Sequence, residues 1–201
     1  SIQLDPLIPA EVLYERQHAE CVGQTWKDHH TNFAKFIYQY GDGADEIFEI
    51  GGGTGLLGDI YQSMNPKCDW TMLEPHPILD EDTKINVMKG FFDNNFKYAG
   101  NFDAVIHSHV LEHIFNPPEF ISQLKDFIPI KKKMFFSVPN LKKMLEQNSV
   151  TALDPEHTIF IIEPYIEYLL SREGFRILEK EYFIDHSIFY AVERDENVNE
   201  I

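Results

Sequence analysis

Two groups of residues carry the types and spacing that chemistry needs. The first is a glycine cluster behind a short apolar run, Glu46-Ile47-Phe48-Glu49-Ile50-Gly51-Gly52-Gly53-Thr54-Gly55-Leu56-Leu57-Gly58. Glycines let a backbone turn sharply and come close to a ligand, and the unpaired amides that begin a helix point at acceptor atoms. No Gly-Lys-Ser/Thr follows, so a nucleoside triphosphate site is not expected. Glu74 lies 23 residues after Gly51. A carboxylate at that distance can accept hydrogen bonds from both ribose hydroxyls. A glycine loop with a ribose acid fits either NAD or S-adenosylmethionine.

The second group is three histidines, His109, His113 and His157, two of them beside a glutamate in Glu112-His113 and Glu156-His157. Imidazole changes charge near neutral pH, which makes it a natural general base. Carboxylate and imidazole are also metal-ligand types. No paired-ligand helix motif such as His-Glu-x-x-His is present, and no metal is expected.

The elements that must position these groups alternate. A helical pattern runs from Ala10 to about Tyr40, with Phe33, Phe36, Ile37 and Tyr40 on one face, and Gly41-Asp42-Gly43 ends it. Strands are expected at Ile47–Ile50, Asp69–Leu73, Ile85–Phe91, Phe102–Ser108 and Met134–Val138, with helices at about Thr54–Ser63, from Pro117 through Phe127, and at about Glu163–Glu173. Residues 140–157 read as the least regular part, a lid or substrate loop. Phe175–Phe183 and Ser187–Glu193 alternate like an antiparallel pair. Strands alternating with helices imply a doubly wound α/β sheet, made mixed by the terminal hairpin. Ligands of such sheets sit beyond the carboxyl ends of the strands. That expectation puts the glycine loop, Glu74, the residues around Phe91 and those after Ile106 at one crevice.

The 201 residues suit a single domain, read as 1–201 with a helical cap over 1–40. Seventeen basic against 33 acidic side chains leave a formal charge of −16, which repels phosphate backbones and argues against a nucleic-acid partner. Neither a signal peptide nor an apolar run of the ~20 residues that span a bilayer is visible, so a cytoplasmic protein without a membrane partner is expected. Cys21 and Cys68 read as two thiols in a reducing compartment. Oligomeric state is not readable.

Three stretches in register resemble the class I S-adenosylmethionine-dependent methyltransferases: Glu49-Ile50-Gly51-Gly52-Gly53-Thr54-Gly55, then Glu74, then Phe102-Asp103-Ala104-Val105-Ile106-His107-Ser108-His109-Val110-Leu111-Glu112-His113. The resemblance implies a Rossmann-like sheet of seven strands in the order 3-2-1-4-5-7-6, the last antiparallel, with helices on both faces. It implies S-adenosylmethionine as cofactor. Glu49 and Gly51, Gly53 and Gly55 would cradle its amino-acid part and sugar, and Glu74 would hold the ribose. Pro75 and His76 would flank the adenine, with Phe91 or Phe92 stacking on its other face. Ser108 and His109 would lie beneath the methionine portion.

Val110-Leu111-Glu112-His113-Ile114, Asp154-Pro155-Glu156-His157 and the stretch Tyr165–Gly174 are similar to deoxysugar C-methyltransferases. Compact methyltransferases of bacterial capsule and surface-sugar pathways, including those making O-methyl phosphoramidate groups, are similar as well. The resemblance implies methyl transfer to a small polar acceptor, at oxygen, or alternatively at carbon of a nucleotide-linked deoxysugar. His157 would be the base, with Glu156 orienting it and His113 at the substrate. A dehydrogenase using NAD, or a catalytically silent cofactor-binding subunit, are the other readings.

Overall fold

Each run read as a strand in the sequence holds one in the computed structural model, which describes residues 9, 12, 23–149 and 157–195. The strands are β1 (Glu46–Ile50), β2 (Asp69–Glu74), β3 (Asn86–Lys89), β4 (Ala104–Ser108), β5 (Lys133–Pro139), β6 (Phe175–Phe183) and β7 (Ser187–Arg194). The helices are α1 (Gln24–Tyr40), α2 (Leu56–Met64), α3 (Pro117–Phe127), α4 (Leu141–Glu146) and α5 (Glu163–Arg172). The seven strands take the order β3-β2-β1-β4-β5-β7-β6, with β7 antiparallel to β5 and β6. The expected fold class, a seven-stranded mixed Rossmann-like sheet flanked by helices, is the one observed.

The described residues divide after Ser108 into two compact units. In the first, β1 pairs in parallel with β2 and β4, and β2 with β3. Ile47 through Ile50 and Ala104 through His107 are buried without a break. Strands covered on both faces need continuous apolar runs, which is why these read so clearly in the sequence. On α1, Phe33, Phe36 and Ile37 are buried at helical spacing, as expected, together with His29 and Ala34. Apart from Val12, residues 10–22 of the longer predicted helix lie outside the described residues. On α2, Tyr61 is buried and its hydroxyl donates to the Ala44 carbonyl at 3.0 Å. The third strand is shorter than Ile85–Phe91. Its ladder ends where Glu74 faces Lys89, because β2 stops there. Gly90 then turns the chain at φ 154°, and Phe91 and Phe92 follow outside the sheet.

In the second unit, β7 is buried from Ser187 to Val192 and lies between β5 and β6. The Phe136 ring of β5 stacks on the Tyr190 ring of β7, with centroids 4.8 Å apart. Proline opens α3, as expected. The stretch expected to be irregular contains a helix, α4. Asn140 caps it by accepting from the Lys143 amide at 3.3 Å, and Leu141 anchors it in the core. Six residues show too little periodicity to be seen in sequence.

Candidate active site

The glycine loop and Glu74 are built as one structure. Gly51, Gly53 and Gly55 have φ of 74°, 57° and 76°, a region that residues with a Cβ rarely adopt. The Gly51 amide donates to the Leu73 carbonyl at 2.8 Å, which fixes the loop to the end of β2. Glu74 completes the tie: one oxygen accepts from the Gly53 amide at 3.0 Å and the other from the His76 amide at 3.0 Å. A carboxylate offers about four lone-pair sites, so both oxygens keep capacity for further donors. Pro75 and His76 are half-buried directly after it.

Glu49 is placed differently from the other acids of the loop. It is 1 % exposed, and Trp70 donates its indole N–H to it at 2.8 Å. Burial is the main force that pushes its carboxyl up to about 8, and Glu74 and Asp59 add repulsion. A Cβ on Gly52 would come within 2.5 Å of the same carboxylate oxygen. Glu49 therefore supports the loop from its inner side. Phe92 and Phe96 have ring centroids 5.7 Å apart, and Phe96 lies 5.7 Å from Phe48 of β1. Phe92 thus belongs to an aromatic chain that reaches the core, and Phe91 beside it is half-buried as well. Ser108, half-buried, closes β4, and His107 before it is fully buried, its pKa held down near 3.

In the second unit the histidines gather. The Leu111–His113 stretch is a single 3₁₀ turn, closed by the His113 amide on the Val110 carbonyl at 3.0 Å. Thr158 and Ile159 donate their amides to the Glu112 carbonyl at 3.0 and 3.3 Å, and the Thr158 hydroxyl donates to the Ile114 carbonyl at 2.9 Å. These bonds carry His157 to His113, so their rings meet edge to face with centroids 5.0 Å apart. The Glu112 carboxylate, 2 % exposed, joins them. One ligand-type atom from each of Glu112, His113 and His157 lies within 4.8 Å of the other two. Glu156 lies outside the described residues.

His109, at φ 53°, faces Glu112 rather than extending the strand. Its Nδ1 is 2.8 Å from a Glu112 oxygen, its Nε2 is 2.9 Å from the Ser187 hydroxyl, and His186 Nδ1 is 2.6 Å from that hydroxyl. With both imidazoles neutral and Glu112 ionised, one polarity satisfies all three: His186 donates to Ser187, Ser187 donates to His109, and His109 donates to Glu112. Burial holds the His186 pKa down, against the pull of Glu112. Ser187 reads in the sequence only as the start of the last strand. Ser187 is 78 positions from His109, and no spacing rule connects them.

The family profile described as a methyltransferase domain matches residues 23–180, and the chain belongs to that family. No curated protein matches the chain in sequence. Among solved structures it resembles the plantazolicin methyltransferase BpumL in complex with a monoazolic desmethylPZN analog and SAH (TM-score 0.63, 14 % identity, 86 % of this chain and 84 % of that one). It also resembles the N-methyltransferase NodS of Bradyrhizobium japonicum WM9 (0.58, 12 %, 86 % and 97 %) and human N-acetylserotonin methyltransferase in complex with SAM (0.63, 15 %, 94 % and 60 %). At these identities the likeness is one of fold. Among the described residues, no helix is long and apolar enough to cross a membrane.

Proposed function

We propose that the protein transfers the methyl group of S-adenosylmethionine to an oxygen of a small polar acceptor. The acceptor classes are a sugar, a nucleotide-linked sugar or a phosphoramidate-type group of a capsule pathway, with the reaction in the cytoplasm. The observation that carries this reading is Glu74, whose two oxygens bind the amides of Gly53 and His76 in a chain of the methyltransferase domain family. The family profile runs through both units, which supports reading them as one catalytic domain.

The loop fits the cofactor chemically. Gly52 leaves no room for a Cβ above Glu49, so backbone rather than side chain forms the loop there. When bound, the cofactor supplies an already activated sulfonium methyl. Glu74 holds the ribose hydroxyls, Pro75, His76 and Phe91 flank the adenine, and the amides of the glycine loop orient the amino-acid part. Such positioning can be worth ~7–11 kcal/mol of the barrier. On the acceptor side His157 takes the proton of the hydroxyl, and His113, ring to ring with it, orients the same oxygen.

Calorimetry tests the cofactor assignment. The expected result is S-adenosylhomocysteine binding, no NAD binding, and at least ~100-fold weaker S-adenosylhomocysteine binding by Glu74→Ala, since two bonds to a charged acceptor are lost. NAD binding without a response to S-adenosylhomocysteine overturns the reading, and unchanged affinity in the variant removes Glu74 from the site.

A further inference from the structure

We propose that Glu112, His113 and His157 form a binding site for one divalent cation of the zinc, cobalt or manganese type. The sequence alone led to the expectation of no metal, because no short ligand motif is present. The fold supplies what spacing could not. Thr158 and Ile159 bind the Glu112 carbonyl and bring His157 to the Leu111–His113 turn. A carboxylate and two imidazoles then present ligand atoms within 4.8 Å of one another. Atoms bound at ~2.0–2.2 Å around one cation stand roughly 3–4 Å apart, a difference that small turns of two half-buried imidazoles close.

Three features separate this cluster from a chance surface grouping. Glu112 is 2 % exposed, and a buried carboxylate is costly without compensating charge. Glu112 is also oriented: His109 binds one of its oxygens at 2.8 Å, and Ser187 and His186 hold His109 in turn. Hydrogen-bonded support behind the ligands is the arrangement that fixes their geometry in metal centres. Third, the described residues offer three ligands of mixed nitrogen and oxygen type. That number leaves coordination positions open, as in catalytic rather than structural sites, and the donor set suits borderline cations better than calcium or magnesium.

The inference rests on the methyl-transfer reading for its role and revises the part played by His157. A hydroxyl acceptor in an open position on the cation would be more acidic there and would give its proton to water, and His157 would serve as a ligand instead of a base. Acceptors that carry a hydroxyl or an anionic oxygen are the class such a centre takes.

The test titrates Co2+ into the whole chain after removal of metals with a chelator, by calorimetry and visible absorption, with S-adenosylhomocysteine binding measured on the same samples. The expected result is one equivalent bound. His109→Ala, which removes support behind Glu112, weakens binding ~10–100-fold, and His113→Ala and His157→Ala weaken it at least as much. His157 is half-buried in a loop, so its variant keeps the fold, which retained S-adenosylhomocysteine binding verifies. No Co2+ binding by protein that does bind S-adenosylhomocysteine overturns the site and leaves His157 as the base. Equal Co2+ affinity in wild type and in both histidine variants also overturns it, because the cation then sits elsewhere. Co2+ binding that needs both histidines, without S-adenosylhomocysteine binding, supports the site and counts against the methyl-transfer reading alone.

Discussion

Glu49 and Glu74 stand at the ends of adjacent parallel strands, and their surroundings give them opposite work. Glu74 accepts from backbone amides where a ligand can add more donors. Glu49 is sealed against Trp70, and burial raises its carboxyl from 4.5 to about 8. The raised value has a definite consequence for stability. Between about pH 4.5 and 8 the folded chain keeps a proton on Glu49 that the unfolded chain has lost. Folding therefore loses stability as pH rises through that window; the cost is absent below it and constant above it. Glu49→Gln mimics the protonated acid and can still accept from Trp70. Its urea midpoint should exceed that of the wild type by more at pH 8 than at pH 5. A gap independent of pH would show that Glu49 is ionised in the folded chain.

Elements differ in how much of their placement the sequence displays. The glycine loop was legible because a parallel strand buried on both faces is a continuous apolar run, and because left-handed turns select glycine. Gly52 adds a reason that spacing alone does not reveal: its φ is ordinary, and only space requires glycine there. Gly52→Ala puts a methyl against the Glu49 carboxylate and the Met72 sulfur. Overpacking of this kind costs about 1–3 kcal/mol, which lowers the melting temperature by roughly 2–4 °C per kcal/mol in a chain of this length. Gly55→Ala adds strain in φ at 76° as well, and should cost more in the same scan. An unchanged melting temperature for Gly52→Ala would mean that the loop stands off Glu49. The histidine cluster was half legible. His109, His113 and His157 were singled out by type. Their union through Thr158, and the support of Ser187 and His186, depend on contacts tens of positions apart that leave no local pattern. The α4 helix escaped notice for the opposite reason, since it is too short to show a period.

At the scale of the whole molecule the dominant feature is charge. With 33 acidic and 17 basic side chains, the surface carries a formal −16. Two electrostatic effects then compete when salt is added. Exposed pairs such as Lys143–Glu146 and Arg176–Glu193 lose attraction, but such pairs are each worth only ~0–1 kcal/mol. Repulsion among the excess carboxylates is relieved at the same time, and it acts over longer distances. The screening length shrinks from about 30 Å at 0.01 M to about 8 Å at 0.15 M salt, so at low salt nearly every carboxylate acts on many others. Because each basic side chain can neutralise one acid and 16 acids remain unmatched, repulsion is the larger sum. The melting temperature should therefore rise as sodium chloride increases from about 0.01 to 0.15 M, and flatten beyond. A fall over that range would show that the ion pairs outweigh the net charge. Repeating the scan with Glu81→Lys and Glu181→Lys, each of which makes the net charge less negative by two at an exposed position, should reduce the rise; the slope then reports the charge rather than a specific ion site.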